Sequence, residues 1–489
     1  MRHVTPGRYG TPALLAGLAF VGGFGMLAAC NLLTGVNSLS AAGCPDCDPG
    51  ASSGSNGVEG GASSGGEGGG FDAAFDGPFI PQPGGFVDTS FGNKGVVLST
   101  LLDTVTSVAV RADGKIVVAG SSAGQLAVVR FDSTGALDLG FSTNGRVTAG
   151  TLTSSRADAV AIDSQGRILA GGIALNVDPQ AVTTQFAYVV RIVDSGVDPS
   201  FAAQGRRTFT TDGEAVTSLV ALATDGCLVG GRANGPGGTV GAVWQLSAQG
   251  SYVMMGAVAR SDVSYITGAP STITAMVGGL NSLLVVGSVT SFGGGSDFAA
   301  ARLLAGGLDT TFDGDGKVVV PVGTAGDNAL AAAAFSDGTY LVGGEVAVPG
   351  GGILGRTPQL GLVRLQNDSS LSPTWGTGGK AIVTFEVPGQ LASKAGDYLR
   401  GVAVDAHDRV IAVGYGEEPG NMTKRRALAL RLDTNGQKDL FFGSFGVTDL
   451  FPDPARPDAR ATAVALQPDG KIVVVGTASG QLAMTRLLP

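Results

Sequence analysis

Short apolar runs alternate with clusters of turn-forming residues along most of the chain. From about residue 86 onward, runs of Val, Ile, Leu and Ala are separated by Gly, Asp and Asn. Short apolar runs between such clusters are typical of β-strands, and no long amphipathic helical pattern accompanies them. The pattern therefore predicts an all-β chain built from many short strands.

The strand pattern repeats seven times. Its marker is an apolar residue, Asp, two variable residues, an aromatic residue, three more residues and Gly. Clear copies of the marker occur at residues 87–95, 137–145, 197–205 and 308–316. Weaker copies occur at 371–379 and 438–446, and the fourth repeat, at 251–259, has lost the marker. The repeats begin near residues 86, 137, 197, 251, 308, 371 and 438.

Each repeat contains four apolar runs with recurring ends. An Asp-Gly pair follows the second run at residues 113, 225, 337 and 469, which predicts a two-residue hairpin. The third run ends in Gly, and the fourth ends in Arg in six repeats, with Gln245 in the other. Four antiparallel strands per repeat, seven times, predict a seven-bladed β-propeller of four-stranded antiparallel blades.

These elements resemble a known repeat family. The sequences DGKIVVAG at 113–120 and LAVVR at 126–130, with the LDxxF marker, are similar to the delta-60 repeat of predicted exported and surface proteins of bacteria. The resemblance covers residues 86–489. It implies a propeller-like fold, and it brings no established activity or site residues.

The first and last repeats are near copies. Residues 113–131 read DGKIVVAGSSAGQLAVVRF, and residues 469–487 read DGKIVVVGTASGQLAMTRL. If the strand at 96–99 is the outer strand of the last blade, the two copies lie side by side where a ring closes. The alternative is that each blade is built wholly from consecutive residues.

The N-terminal segment has the pattern of a targeting signal. Arg2 and Arg8 precede an apolar stretch that ends in Leu-Ala-Ala before Cys30, as in a bacterial lipobox. We predict a lipoprotein signal peptide over residues 1–29 and lipidation of Cys30; the alternative is an ordinary secretory signal. Since Asn31 is not Asp, we expect the outer membrane or cell surface.

A linker should follow the signal. Residues 30–85 are rich in Gly and Ser and predict a flexible tether, with the propeller over 86–489. Cys44 and Cys47 at its start could form a local disulfide in an oxidising compartment. Cys227, by contrast, lies in a predicted strand as a small buried residue.

The charge balance excludes some partners. The formal net charge is −9, and removal of residues 1–29 makes it −11. An acidic chain is a poor partner for nucleic acid and for anionic lipid, so we expect a monomer held at the membrane only by its lipid anchor.

Candidate binding residues lie where the repeats differ in length. The variable segments fall at two connections of each blade that emerge on one face, and they predict a single binding rim. Random drift in loop length is the alternative. The segment 415–426 has the most charges. With the adjacent blade it supplies six candidate ligand-binding residues: Glu345, Arg356, Glu417, Glu418, Lys424 and Arg425.

Candidate catalytic groups are few. His407 aligns with a hairpin turn on the opposite face, and Asp313 with Asp315 is only a fragment of a calcium loop. The repeated Asp and Arg residues are better interpreted as structural partners, since a catalytic site is normally asymmetric. The sequence therefore predicts no catalytic residue, metal site or cofactor.

The sequence favours a lipid-anchored, exported propeller that serves as a binding or scaffold module at the cell envelope. An extracellular protein or glycan is the expected partner. The alternatives are a hydrolase or lyase acting on extracellular polymer, and a structural envelope protein.

Overall fold

A computed structural model describes two parts of the chain. These are Ala28–Ala29 and residues 83–489, apart from 151–152, 178–182, 210–212, 236–237, 256–258, 279–281, 291–294, 306, 325, 351–355, 388–395, 419–420 and 453–457. All regular structure in these residues is β-strand. No helix within them is long and apolar enough to span a membrane. The predicted signal peptide, Cys30, Cys44 and Cys47 fall outside them, except that Ala28–Ala29 pairs with Val220 and Ala221.

The long strands form seven sheets of four, which we call blades 1 to 7. From the inner to the outer strand, blade 1 consists of Thr104–Val110, Ile116–Ser122, Gln125–Phe131 and Arg146–Thr148. Blade 2 consists of Ser154–Ile162, Ile168–Val177, Thr183–Val193 and Arg206–Phe209. Blade 3 consists of Gly213–Ala221, Cys227–Gly235, Gly238–Leu246 and Arg260–Val263. Blade 4 consists of Ser271–Gly278, Leu283–Thr290, Ser296–Leu304 and Lys317–Val320. Blade 5 consists of Asn328–Ala334, Tyr340–Pro349, Arg356–Leu365 and Lys380–Val383. Blade 6 consists of Gly396–Val404, Val410–Glu418, Asn421–Leu432 and Val447–Asp449. Blade 7 consists of Ala459–Leu466, Ile472–Ala478, Gln481–Leu487 and Val96–Ser99. Two-residue strands at Gly196–Val197, Tyr252–Val253 and Gly307–Leu308 extend blades 2, 3 and 4.

The blades form a closed ring. Each inner strand contacts the inner strand of the next blade, and that of blade 7 contacts that of blade 1. The apolar core is correspondingly divided into slabs between neighbouring blades; one slab joins Val118 and Val129 of blade 1 to Val473 and Met484 of blade 7. The predicted seven-bladed propeller is confirmed. The division into signal, tether and propeller stays a prediction.

The N-terminal strand closes the ring. Val96–Ser99 pairs antiparallel with the third strand of blade 7, so the outer strand of the last blade comes from the start of the domain. Thr485 Oγ1 donates to the Gly95 carbonyl at 2.7 Å, and Leu488 N donates to the Phe86 carbonyl at 2.9 Å. Without this strand, the third strand of blade 7 would expose an unpaired edge. The hypothesis that the chain ends meet in one blade is confirmed.

The repeated Arg and Asp residues are structural partners, as predicted. The fourth run of each sequence repeat is the third strand of a blade. The Arg that ends this strand pairs with the marker Asp and lies over the marker aromatic ring. The Nε–Oδ2 distances are 2.8 Å for Arg130–Asp138, 2.8 Å for Arg191–Asp198, 2.7 Å for Arg302–Asp309, 2.8 Å for Arg431–Asp439 and 3.0 Å for Arg486–Asp88. In blade 5 the marker has Ser372 in place of Asp, and Arg364 pairs with Asp337 instead, at 2.7 Å.

The Asp-Gly turns differ from the prediction. In blade 1, Arg111 N donates to the Lys115 carbonyl and Gly114 N to the Arg111 carbonyl, which leaves three residues between the closing pair. Gly114 has a φ of 81°, so it supplies the left-handed residue of a bulged turn. The two-residue hairpin was wrong because an Asp-Gly pair satisfies either turn, and the strand register selects the longer one.

Two of the variable segments, at 346–359 and 415–426, are strand over most of their described residues. We call the face that carries the hairpins between second and third strands the upper face. On it, the segment at 415–426 continues the ladder of blade 6 through Glu417↔Arg425, and that at 346–359 continues the ladder of blade 5 through Pro349↔Arg356. Their interpretation as loops was wrong, because extra residues added in pairs lengthen both strands of a hairpin.

Candidate binding site

Every inner strand carries a β-bulge at the same position. At this position the register with the second strand skips one residue in each blade, and these seven residues are Thr106, Asp158, Thr217, Thr274, Leu330, Arg400 and Thr462. All seven are partly exposed. Since the inner strands surround the central channel and begin at the upper face, the bulges encircle the upper mouth of the channel.

Three of the threonines at these positions fasten neighbouring blades together. Thr106 Oγ1 donates to the Ala157 carbonyl of blade 2 at 2.7 Å, and Thr274 Oγ1 to the Ala329 carbonyl of blade 5 at 2.8 Å. Thr217 makes the same contact to blade 4. Threonine at the bulge is thus structural, and the departures at Asp158, Leu330 and Arg400 distinguish one sector of the mouth from another.

Beside Arg400, two tyrosines of blade 6 stack on each other. The ring centroids of Tyr398 and Tyr415 are 4.9 Å apart with an interplanar angle of 19°. Arg400 lies 5.1 Å from the Tyr415 centroid, and Arg425 and Arg460 each lie 5.8 Å from it. Guanidinium groups at these distances are attracted by the electron-rich ring. An aromatic pair surrounded by three arginines therefore lies at this sector of the mouth.

Carboxylates tie these arginines together across three blades. Arg400 pairs with Glu345 of blade 5, and Arg425 pairs with Glu417 at 3.1 Å and with Asp458 of blade 7 at 3.3 Å. Asp458 also pairs with Arg460 at 3.3 Å. We call these residues the tyrosine–arginine cluster: Tyr398, Tyr415, Arg400, Arg425, Arg460, Glu345, Glu417 and Asp458.

Tyr398, Arg400 and Arg425 of the cluster stay protonated at neutral pH. Burial, with the charge of Glu417, raises the pKa of Tyr398 to about 12, so its hydroxyl stays protonated and donates to Glu417 at 3.2 Å. Burial alone would lower the pKa of Arg400, but the charge of Glu345 raises it. Burial would likewise lower the pKa of Arg425, but its hydrogen bonds to Asp458 and Glu417 and their charges raise it. The site therefore presents fixed donors and acceptors beside an aromatic surface.

The predicted site residues are divided by the structure. Glu345, Glu417 and Arg425 lie in the cluster. Arg356 and Lys424 are exposed on the two neighbouring hairpins, outside the cluster. The side chain of Glu418 is not among those described.

Sequence reasoning missed Tyr398, Arg400, Asp458 and Arg460. The signal was present in the inner strands, where Arg400 stands in the place that four other repeats give to Thr. It could be found only by aligning the bulge positions rather than the variable segments.

The other candidate groups lie elsewhere. His407 is exposed in the hairpin on the lower face, as predicted, and Cys227 is buried in a strand. Asp315 lies beside Lys317, with 3.8 Å between carboxylate and ammonium, in a marker turn. In the described part of the chain, no group of three or more His, Cys, Asp or Glu residues could hold a metal ion. A groove of about 270 Å³ follows the outer edge of blade 6, beside the Arg426–Asp449 ion pair.

One family model matches the repeats. It is described as "Domain of unknown function (DUF5122) beta-propeller", and it matches residues 111–141, 281–312 and 467–489. The first two matches run from the hairpin after an inner strand to the marker aromatic residue, and the third covers the end of blade 7. The chain carries β-propeller repeats of this kind. No curated protein matches the chain.

Several solved structures are similar to the chain at low identity. A protein of unknown function from Dyadobacter fermentans DSM 18053 is 13% identical, with 81% of this chain and 98% of that chain covered and a TM-score of 0.41. A PL25 polysaccharide lyase, an ulvan lyase, is 10% identical, with 81% and 94% covered and a TM-score of 0.46. The GH93 α-L-arabinofuranosidase of Fusarium graminearum is 12% identical, with 68% and 91% covered and a TM-score of 0.39. These likenesses carry no argument about function.

Proposed function

We propose that the protein is a glycan-binding module of the bacterial cell envelope. In this proposal it is exported, anchored by lipid on Cys30 at the outer membrane or cell surface, and it binds extracellular glycan at the tyrosine–arginine cluster. The observation that carries the proposal is the asymmetry of the channel mouth. Blades 1 and 4 have small hydroxyl residues at all three positions where blade 6 has Tyr398, Tyr415 and Arg400.

The chemistry of the cluster suits a sugar. Aromatic rings bind the apolar faces of ligands, and a few fixed polar groups orient them. Here the partly exposed Tyr398 lies beside guanidinium donors and carboxylate acceptors, which match the vicinal hydroxyl groups of a glycan. The groups are held by ion pairs on a rigid ring of blades, so little ordering would accompany binding.

Catalysis is a weaker proposal for the same residues. A hydrolase or lyase needs a group that exchanges a proton near neutral pH. In the cluster, the Tyr398 hydroxyl has a pKa of about 12 and stays protonated, and Glu345, Glu417 and Asp458 are each held by an arginine. We therefore expect binding without turnover.

Binding to a panel of extracellular polysaccharides, measured by calorimetry with product analysis, tests the proposal. Tyr398→Ala should weaken binding about fivefold, since an aromatic contact contributes about 1 kcal/mol. Lys424→Ala, on the neighbouring hairpin outside the cluster, is the matched control and should bind as wild type does. Equal affinity of Tyr398→Ala and wild type, or binding to no member of the panel, would overturn the proposal. Degradation of a polysaccharide would favour the enzyme instead.

The anchor has its own test. Labelling of cells with radioactive palmitate should mark the wild-type protein and leave Cys30→Ser unlabelled. Equal labelling of the two proteins would exclude lipidation at Cys30.

A further inference from the structure

Four arginines lie at the upper mouth of the channel. Arg400 is the bulge residue of blade 6, and Arg156 and Arg460 each lie two residues before the bulge of their own blades. Arg232 is the second-strand partner of the residue two before the bulge in blade 3. Arg156, Arg232 and Arg460 therefore occupy one level of the ring, on blades 2, 3 and 7, and Arg400 of blade 6 lies two residues further along its strand.

Each of these arginines has one carboxylate partner. Arg156 pairs with Asp158 at 2.8 Å, and Arg232 approaches Glu214 at 3.6 Å. Arg400 pairs with Glu345, and Arg460 with Asp458, within the tyrosine–arginine cluster. The ion pairs fix the guanidinium groups in place.

The arginine is the more exposed partner in every pair. The exposed side-chain fractions are 54% against 18% for Arg156 and Asp158, and 40% against 27% for Arg232 and Glu214. They are 32% against 20% for Arg400 and Glu345, and 40% against 38% for Arg460 and Asp458. A ligand that approaches the mouth thus meets guanidinium groups first, with the carboxylates behind them.

Blades 1 and 4 supply uncharged groups at the same positions. These are the hydroxyl residues Thr104, Thr106 and Ser121 of blade 1, and Thr272, Thr274 and Ser288 of blade 4. They separate the arginines of blades 2 and 3 from those of blades 6 and 7. The arginines of the mouth therefore lie in two sectors, each with as many carboxylates as arginines, in a chain whose formal net charge is −9.

We infer that the ligand is an acidic glycan, whose carboxylate or sulfate groups bind the arginines at the mouth of the channel. Guanidinium groups match the planar oxygen pairs of such anions and bind them with two parallel hydrogen bonds. The tyrosine–arginine cluster would hold the sugar ring, and Arg156 with Arg232 would bind an anionic group on the other side of the mouth. The inference rests on the proposed glycan-binding function.

Two matched pairs of polymers, used with the full chain, test the ligand class. Polygalacturonate is compared with its methyl ester, and dextran sulfate with dextran, by calorimetry at several salt concentrations. Polygalacturonate and dextran sulfate distinguish a carboxylate from a sulfate ligand. We expect the charged member of at least one pair to bind at least tenfold more tightly, and the difference to shrink as salt rises.

Three variants test the residues. The double variant Arg156→Gln/Arg232→Gln should weaken binding of the acidic polymer about tenfold or more. Arg356→Gln, which changes the charge on the rim but outside the mouth, should leave binding within twofold. Asp158→Asn should strengthen it several-fold, because the carboxylate that neutralises Arg156 is then gone. Thermal unfolding of each variant shows whether the fold is intact.

The outcomes separate the two proposals. Preference for the uncharged polymers would overturn the acidic class and leave glycan binding in place. Binding of none of the four polymers, together with failure of the wider panel, would overturn the proposed function itself. Equal losses in the double variant and in Arg356→Gln would assign the effect to overall charge and overturn the mouth as the site.

Discussion

At the scale of single residues, Arg431 differs from the equivalent arginines of the other blades. It is fully buried, and its Nη1 and Nη2 atoms have no hydrogen-bond partner among the residues that the structure describes. In blades 2 and 4 the Nη2 atom donates to a marker hydroxyl, Ser200 or Thr311, at 3.0 Å. Blade 6 has Phe441 at that position, and Phe441 is 58% exposed. Burial, together with the charge of Arg409, lowers the pKa of Arg431.

Phe441→Thr should therefore stabilise the protein. The new hydroxyl would accept from Arg431, and the backbone there already matches the other blades, since Phe441 N donates to Asp439 at 3.1 Å. A buried donor that gains a partner contributes about 1 kcal/mol. Chemical denaturation should show this increase for Phe441→Thr and none for Leu440→Thr, a control that is 57% exposed on the same turn. Equal effects of both changes would mean that loss of an exposed apolar side chain is the cause.

At the scale of elements, the bulges convert a repeated strand into a ring. Thr274 donates both to the Val286 carbonyl of its own blade at 3.1 Å and to the Ala329 carbonyl of the next blade. Arg400 instead pairs with Glu345 of the preceding blade, blade 5, whereas the threonines bond to the following blade. The bulge residue can thus vary while the ring of blades stays closed.

Thr274→Val should lower the free energy of unfolding by about 1 kcal/mol, because a hydroxyl shared by two blades is lost at constant shape. Thr462→Val is the control, since its hydroxyl donates at 3.3 Å to Val475 within its own blade. We expect a smaller loss there, measured by urea denaturation. A larger loss in Thr462→Val than in Thr274→Val would contradict the role of the contact between blades.

The repeat pattern predicted the elements better than it predicted the site. Arg486 and Asp88 could be paired from the sequence, because both recur in most repeats at fixed positions. Arg400 and Glu345 could not, because their contact depends on which blades are neighbours and on a bulge that shifts the strand register. The hairpin that carries Glu417 was identified from the sequence as a variable segment. It continues the ladder of blade 6 because its two strands pair, and the length of the segment does not determine that pairing.

At the scale of the whole molecule, acidic marker residues couple stability to pH. Burial would raise the pKa of Asp88, but hydrogen bonds from Ser90 and Arg486 lower it. Lys115 and Arg130 lower the pKa of Asp138, and Thr311 and Arg302 lower that of Asp309. A carboxyl whose pKa is lower in the folded state contributes stability above its unfolded pKa of about 4. That contribution is lost as pH falls through the folded pKa.

These carboxyl groups should therefore have little effect on the pH dependence of the melting temperature between about pH 5 and 8. Below about pH 4 their protonation should make the melting temperature fall steeply. Asp309→Asn should lower the melting temperature at neutral pH and make the fall at low pH shallower. Thermal melts by circular dichroism across this range measure both. If the melting temperature of Asp309→Asn falls as steeply at low pH as that of the wild type, the Arg302–Asp309 ion pair makes no contribution to the pH dependence.

The strand Val96–Ser99 has a consequence for the order of events in biogenesis. Asp88 and its partner Arg486 lie 398 positions apart, so the blade that joins them cannot assemble until almost the whole propeller has been synthesised. Contacts between such distant segments form slowly, because a long loop must close first. Until then the ring is an open arc with one unpaired edge at each end. The last structural step of the propeller therefore waits for its last strand.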